Sequence, residues 1–207
     1  MARNDPFFKL EGDISKINQD EFYAHMDRSN HLCDTIYEPA GLDRRDNRTT
    51  RLEGKTFQRV SFSWTKITNI IFRDCIFEDC RLIDSHIERC EFHNCSFIRT
   101  NMHKVSFERT YIDPNSFKIA LDPHRHQNIG VHLYQSLMNN SRHNEQPEFE
   151  ADAHFHFLRW KRYQELYEVR KSWSEKRTLD IKKRVRITTR FLWEWLFGRL
   201  YTGHKRT

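Results

Sequence analysis

The sequence predicts a stack of flat-sided β coils followed by an α-helical region. The first observation is a large apolar residue at every fifth position from Leu52 to Phe117. The second is a small or β-branched residue at most of the positions two before these. The third is the stretch from Phe149 to Lys176, which contains no Pro or Gly and is rich in helix-forming residues.

The composition is that of a folded protein that is not exported. Of the 207 residues, 37% are hydrophobic and 14% are aromatic, so a core must bury many of them. The first residues lack a basic segment followed by an apolar stretch, and no apolar run of about 18 residues occurs. We therefore expect no secretory signal and no complete transmembrane helix, and we expect reduced thiols in a cytoplasmic protein.

The period of five fits neither a helix nor a flat strand, whose side chains repeat about every 3.6 and 2 residues. An internal repeat of this kind has to be recognised before any other element is assigned. Fourteen consecutive repeats place a large apolar residue at the same position: Leu52, Phe57, Phe62, Ile67, Phe72, Phe77, Leu82, Ile87, Phe92, Phe97, Met102, Phe107, Ile112 and Phe117.

A large residue and a small residue two positions apart point to the same side of an extended backbone. The other three positions of each repeat are mainly polar. One extended segment and one turn per repeat would therefore build a coil whose large residues fill the axis. Coils stacked at the usual strand spacing of about 4.8 Å bury their core only against one another, so both ends of the stack need caps.

This two-track pattern resembles the pentapeptide-repeat family, whose unit has a central Phe or Leu and a small residue two positions earlier. The resemblance covers residues 50–117 and implies a right-handed quadrilateral β-helix of three to four coils, with four repeats per coil. Residues 20 apart should then stack. Two of the expected columns are Phe57, Phe77, Phe97 and Phe117, and Leu52, Phe72, Phe92 and Ile112. Lys55 and Asn115 depart from the small-residue position, and both lie near an end of the stack.

Four of the five cysteines occupy the small-residue position, at spacings of 5, 10 and 5 residues. Structural zinc favours pairs two to four residues apart, so we interpret these cysteines as core side chains. Cys75 and Cys95 lie one coil apart and could form a disulfide on steric grounds, but a reducing compartment argues against it. The predicted core residues are Phe57, Phe62, Phe72, Phe77, Leu82, Ile87, Phe92, Phe97, Phe107, Cys75, Cys80, Cys90 and Cys95.

The chain divides into four predicted regions. These are an N-terminal cap or irregular segment (1–49), the repeat β-helix (50–120), a cap helix and loop (121–148) and a basic, aromatic helical region (149–207). Within the first region, residues 19–34 could contain a short helix, because Phe22 and Met26 have i,i+4 spacing. In the third region, residues 131–140 favour a helix and residues 141–148 a polar loop.

No constellation typical of catalysis is visible. The sequence contains no GxSxG, no phosphate-binding Gly-rich loop and no HExxH motif. His86 and His93 fall at outward positions of the repeat and are interpreted as surface residues. His154 and His156 are two residues apart, which places them on different faces of a helix. We therefore predict a protein that is not an enzyme and that has no metal and no cofactor.

The basic charge of the chain is concentrated at its C-terminal end. Residues 151–207 carry 15 Lys and Arg against 6 Asp and Glu. A basic segment that leads into a Trp-rich apolar one is typical of a helix at a membrane interface, and an amphipathic helix docked on protein is the alternative. Nucleic-acid binding is disfavoured, because no base-reading motif is present. The predicted partner or membrane contacts are Phe191, Trp193, Trp195, Phe197, Lys182, Lys183, Arg184, Arg186 and Arg190.

These observations favour a bacterial scaffold that mediates protein association. We expect a homo-oligomer, with residues 179–207 near the cytoplasmic face of the inner membrane. Residues 195–207 are similar to the junction that precedes the membrane helices of an ion-channel-like branch of the family, so the soluble part of a channel-like protein is an alternative. A DNA mimic that binds topoisomerase is a weaker one, because the resemblance implies a strongly acidic rod, whereas residues 51–117 carry 10 Lys and Arg against 9 Asp and Glu.

Overall fold

The structure of the protein, a computed structural model, describes residues 13–44 and 50–174. Residues up to Trp160 form one compact unit and residues from Lys161 onward a second. The first unit holds the β coils and the helices that close them.

Thirteen short strands and three helices make up the described chain. The helices are α1 (Gln19–Arg28), α2 (Gln127–His143) and α3 (Pro147–Ser174), with a 3₁₀ turn at Pro114–Phe117. The strands are β1 (Ser15–Ile17), β2 (His31–Tyr37), β3 (Gly41–Leu42), β4 (Thr50–Glu53), β5 (Thr56–Ser61), β6 (Lys66–Thr68), β7 (Ile70–Arg73), β8 (Ile76–Glu78), β9 (His86–Glu88), β10 (Glu91–His93), β11 (Ser96–Ile98), β12 (Ser106–Glu108) and β13 (Tyr111–Ile112).

The strands form three parallel sheets, each of which is one side of a coil. Their orders are β1-β2-β5-β8-β11, β4-β7-β10-β13 and β3-β6-β9-β12. Parallel bridges from Ser61 to Arg81 and from Arg81 to Asn101 mark the fourth side. The predicted fold class, a four-sided β-helix followed by helices, is therefore confirmed.

Residues 20 apart stack, as the repeat predicts. Phe57 pairs with Phe77 and Phe77 with Phe97, and the ring of Phe97 stacks on Phe117. The other predicted column pairs in the same way, in the order Leu52, Phe72, Phe92 and Ile112. The repeat of 20 follows because four five-residue units return the chain to the same side.

The first coil differs from the later ones and lies inside the segment predicted as an N-terminal cap. Leu32 pairs with Phe57 and Leu42 with Ile67, a register of 25 residues rather than 20. Strand β3 ends at Leu42 and strand β4 begins at Thr50. In the sequence, the apolar period is interrupted at Asn47, and for that reason the pattern starts only at Leu52.

The aromatic columns are set by the distance between strands. Centroids of stacked rings are 4.8 Å apart in Phe57–Phe77 and in Phe77–Phe97, and 4.7 Å apart in Phe72–Phe92. These values match the spacing of about 4.8 Å between paired strands, at which aromatic rings can stack. A Phe at the central position therefore contacts the Phe of the next coil without any adjustment of the backbone.

The small residue two positions before each ring also links consecutive coils. The Cys80 thiol donates to the Phe57 carbonyl at 3.2 Å and to the Glu78 carbonyl at 3.4 Å. The Thr100 hydroxyl donates to the equivalent carbonyls of Phe77 and Ile98, at 2.9 and 3.1 Å. Small size at this position makes room for the rings, and a thiol or hydroxyl donor adds a hydrogen bond to the preceding coil.

The corners of the coils place one residue per repeat in the left-handed region. From Arg59 to Arg109 this residue, two positions after the central one, has φ between 45° and 60°. Asn and Asp tolerate this conformation, whereas other non-glycine residues lose about 1–2 kcal/mol. Six corners nevertheless carry long or bulky side chains, namely Arg59, Trp64, Arg89, Arg99, Lys104 and Arg109.

Ion pairs between neighbouring coils offset part of the free-energy cost of the left-handed conformation at one corner. The Arg59 guanidinium makes two hydrogen bonds of 2.5 Å to the carboxylate of Asp34. Two coils further on, Arg99 makes the same paired contact with Asp79, at 2.7 and 2.9 Å. Paired arginine–carboxylate contacts are the stronger kind of ion pair, although exposure limits each to about 1 kcal/mol or less.

Helix α1 closes the first coil, and it is confirmed where the Phe22 and Met26 spacing predicts it. Both side chains are buried, and the Phe22 ring lies parallel to that of Phe57 at 6.2 Å. Lys55 occupies the position that holds a small residue in other repeats. A small residue there could not reach the carbonyls at the end of α1. Its Nζ donates to the carbonyls of Met26 and Ser29, at 2.6 and 3.1 Å. The departure of Lys55 from the repeat therefore belongs to the cap.

Helix α2 closes the last coil by replacing the missing next strand. The Asn140 side chain accepts from the Thr110 backbone N–H at 3.0 Å and donates to the Thr110 carbonyl at 2.7 Å. The Ser136 hydroxyl accepts from the Phe107 N–H at 3.1 Å. Asn115, the second departure from the repeat, donates to Asp152 of α3 at 2.8 Å. Strand edges left open would invite pairing with other chains, so these contacts end the ladder.

The loop predicted at residues 141–148 is shorter than expected. Helix α2 continues to His143, and α3 begins at Pro147. The prediction was wrong for Ser141–His143 and for Pro147–Glu148. Tertiary contacts extend α2: Ser141 is buried, and Arg142 pairs with Glu150 at 2.8 Å. The two helices approach closely at Gly130, where an added Cβ would lie 2.1 Å from the Trp160 ring.

Cys80→Ser should keep the free energy of unfolding within about 1 kcal/mol of wild type, because a hydroxyl can donate to the same two carbonyls. Phe77→Ala, three residues away, should cost about 3–5 kcal/mol, because it leaves a cavity in the ring column. Urea denaturation followed by circular dichroism measures both values. Ile76→Ala, which truncates an exposed neighbour, is the control. Equal losses from Cys80→Ser and Phe77→Ala would contradict this assignment of the thiol.

Candidate interaction surfaces

The interior of the coils is filled by its own side chains. The structure buries all thirteen residues predicted to form the core, and Phe107, at 7% exposure, is the most accessible of them. A core of this kind leaves no lumen in which a ligand could bind. Functional groups of the described β-helix must therefore lie on the outside of the coils or on the caps.

Burial makes Cys80 and Cys90 poor nucleophiles, whereas Cys75 and Cys95 share a hydrogen bond that shifts their pKa values in opposite directions. Burial raises the pKa of Cys80 to about 12 and that of Cys90 to about 12. The pKa of Cys95 is also raised, first by its hydrogen bond with the Cys75 thiol and then by burial. A thiolate is the reactive and metal-binding form, so Cys80, Cys90 and Cys95 stay in the inert thiol form near neutral pH. The same hydrogen bond lowers the pKa of Cys75.

Among residues 13–44 and 50–174, no group of three or more His, Cys, Asp or Glu side chains could hold a metal ion. His86 and His93 instead contact their neighbours on the outer faces. The Nδ1 of His86 lies 2.8 Å from the Ser106 hydroxyl, and the Nε2 of His93 lies 2.7 Å from the Glu91 carboxylate. These contacts join residues of the same or the next coil and indicate a structural role.

Several large apolar side chains stand exposed on this unit, and the three most exposed are Trp64, Ile119 and Phe155. Trp64 is 73% exposed at a left-handed corner, and Ile119 is 60% exposed after the 3₁₀ turn. Phe155 and Leu158 are 57% and 39% exposed on α3. The helical spacing of Phe155 and Leu158 is visible in the sequence, but which side of the helix faces the β-helix is not. Trp64 could have been found from the repeat, because it falls at a corner position.

A shallow groove of about 450 Å³ lies between the end of α2 and the start of α3. Its lining is mostly apolar, and the ion pair between Arg142 and Glu150 lies within it. The lining residues are Met138, Arg142, Pro147, Glu150, Ala151, His154 and Phe157. Its shape and lining suit the side chains of a docked protein better than a polar small molecule.

His156 fastens α3 to the end of the β-helix. It is buried, its ring stacks on Tyr134 at 4.9 Å, and its Nε2 lies 3.3 Å from Oδ1 of Asn115. Burial lowers the pKa of His156, and the positive charges of Arg159 and Lys118 lower it further. The carboxylates of Asp152 and Asp113 oppose this shift only in part. The imidazole is therefore neutral at neutral pH.

The nine tail residues predicted to contact a partner or a membrane lie outside the described residues. They are Lys182, Lys183, Arg184, Arg186, Arg190, Phe191, Trp193, Trp195 and Phe197. Within the part of the chain that the structure describes, no helix combines the length and apolar character that a membrane crossing requires.

A comparison with protein families finds a match within the coils. The family model for pentapeptide repeats matches residues 75–111 in eight copies, within the segment that carries the five-residue pattern. Searches of curated proteins and of solved structures found no match. The parallel ladders and this match together define the coils as a pentapeptide-repeat β-helix, and the helices α2 and α3 follow it.

Acidification should weaken the docking of α3. A His whose folded pKa is lowered contributes stability that is complete above the unfolded pKa of about 6.5 and is lost as pH falls below it. The melting temperature should therefore drop between about pH 7.5 and about pH 5.5, and the drop should be smaller in His156→Gln than in wild type. Burial also lowers the pKa of His126, so part of the pH dependence of the melting temperature should remain in His156→Gln.

His154→Gln is the matched control for this experiment, because His154 lies two residues away on an exposed face of α3. Scanning calorimetry of the three proteins at both pH values gives the comparison. An identical pH dependence in wild type and His156→Gln would show that His156 does not link α3 docking to pH.

Proposed function

We propose that this protein is a non-enzymatic scaffold that mediates protein–protein association, including association with itself. The observation that carries the proposal is the division between a filled interior and an outer surface with large exposed apolar side chains. Trp64 and Phe155 contribute little to the core, and Trp64 also holds a strained corner conformation. Exposed aromatic residues of this kind are enriched at protein interfaces.

The repeat supports this role physically. Stacked coils hold their outward side chains in columns about 4.8 Å apart, on a backbone fixed by parallel ladders. Such a surface needs little ordering when a partner binds, which lowers the entropic cost of association. Pentapeptide repeats form a family of repeat scaffolds, and the match at residues 75–111 is consistent with that role.

The full chain should self-associate reversibly. Sedimentation velocity over a hundredfold range of protein concentration should show a weight-average sedimentation coefficient that rises with concentration, because association follows mass action. Bovine albumin in the same buffer controls for non-ideality. A coefficient that stays at the value of a 25.3 kDa monomer throughout the range would refute self-association.

For the C-terminal segment, we propose contact with a membrane surface on the cytoplasmic side. The support is the sequence: five basic residues between Lys182 and Arg190 precede an apolar segment that contains Trp193 and Trp195. Basic residues attract anionic headgroups, and Trp favours the boundary between headgroups and acyl chains. This arrangement also suits the alternative, the soluble part of a channel-like membrane protein.

Co-sedimentation with liposomes tests the membrane contact. The full chain should bind anionic vesicles, and binding should fall with added salt and be weak on neutral vesicles. Changing Trp193 and Trp195 to Ala should reduce binding, while changing the exposed Trp64 to Ala should not. If the Trp193→Ala, Trp195→Ala double variant bound vesicles as well as wild type does, a membrane contact through the tail would be contradicted. If wild type did not bind vesicles at all, the tail would be expected to contact a protein partner instead.

A further inference from the structure

Helix α3 carries an apolar stripe on the side that faces away from the β-helix. The face toward the β-helix is occupied by Ala153, His156 and Trp160, all of which are buried. At 100° per residue, Phe155 and Leu158 lie on the opposite side, in line with Ala151. We call these three residues, Ala151, Phe155 and Leu158, the α3 stripe. All three are exposed.

We infer that the α3 stripe is the contact between two copies of this chain, with the two α3 helices antiparallel across a two-fold axis between Phe155 and Leu158. The inference rests on the proposed self-association and names its surface. Spacings of four and then three residues are those of the apolar seam of a helix pair. A two-fold axis at this point sets each Phe155 against the partner's Leu158, so that one stripe completes the other.

The charges beside the stripe favour the antiparallel arrangement. Asp152 and Arg159 lie on the same flank, seven residues apart. The two-fold axis brings Asp152 beside the partner's Arg159, with an offset of about 3 Å along the helix. Symmetry forms this ion pair twice. A parallel arrangement would instead set His154 against the partner's Arg159, which offers no ion pair.

Contacts within the chain leave room for this pairing. Asp152 accepts one hydrogen bond from Asn115, and a carboxylate can accept several. Arg159 has contacts within its own chain, and a guanidinium carries five N–H donors in a fixed plane. Either side chain can therefore keep its present partner and still contact a second copy.

The groove between α2 and α3 extends the same surface. Ala151 belongs to the stripe and also lines the groove, beside Met138 and Phe157. A helix laid along the stripe would cover the edge of the groove and remove more apolar surface from water. Three stripe residues and one groove edge make a small contact. Interfaces below about 1,200 Å² are typically weak, so the dimer should form and dissociate with concentration.

The experiment is sedimentation velocity on the full chain and on matched variants. Phe155→Glu with Leu158→Glu should weaken the dimer at least tenfold, because each copy would place carboxylates in an apolar contact. Ile119→Glu is the matched control, since it alters an equally exposed apolar residue elsewhere on the unit. If the double variant shows a lowered melting temperature, Phe155→Ala with Leu158→Ala takes its place.

Charge exchange tests the geometry. Asp152→Arg and Arg159→Asp should each weaken the dimer, and the combined exchange should recover at least part of the loss, because the ion pair is restored with its sign reversed. Absence of recovery would overturn the antiparallel arrangement.

The outcomes separate this inference from the proposed function. Dimers in wild type and Ile119→Glu together with monomers in the stripe variant would establish the interface. A stripe variant that dimerises like wild type would overturn the interface and leave self-association standing through another surface. A wild type that is monomeric at every concentration would overturn both.

Discussion

The distance between parallel strands, about 4.8 Å, is the constraint on which the rest of this structure depends. It equals the separation at which aromatic rings stack, so Phe can fill the central position in coil after coil. Because the rings take the axis, the position two residues earlier has room only for a small side chain. A thiol or hydroxyl there reaches the carbonyl of the preceding coil, as Cys80 and Thr100 do. Four cysteines in one short segment are therefore a consequence of packing.

A repeat of this kind has to be ended at both faces, and the ends are where the polar chemistry is concentrated. Lys55 binds the carbonyls at the end of α1, and Asn140 takes the place of a strand at the other end. Buried polar groups cost free energy when they are unpaired. Lys55 and Asn140 are therefore needed at these two positions, where they pair backbone groups that would otherwise lack a partner. His156 adds a titratable contact to the C-terminal cap. The C-terminal cap therefore has a buried titratable group at its contact with the end of the β-helix.

Because side chains fill the core, the residues available for binding lie on the outer surface. Burial holds the Cys80 and Cys90 thiols in the protonated form, and the described residues contain no cluster suited to a metal ion. What remains is a rigid body with exposed apolar side chains at one corner and along α3. Trp64 exposes a large apolar ring to water and also adopts a left-handed backbone conformation. Both features cost free energy. A binding role is the simplest physical reason to place a tryptophan there.

The sequence by itself determined that the coils have a period of five residues with two inward positions, and its resemblance to pentapeptide repeats implied four repeats per coil. It placed Phe57 above Phe77 and Phe72 above Phe92, and it located α1 from Phe22 and Met26. It could not show the first coil, since the extra residues near Asn47 interrupt the period while the ladder from Leu32 to Phe57 continues in space. The exposed side of α3 and the length of α2 were likewise decided by tertiary structure. An apolar residue on a helix has the same pattern whether it faces a core or solvent, and only the packing of α3 against α2 and the last coil exposed Phe155 and buried His156.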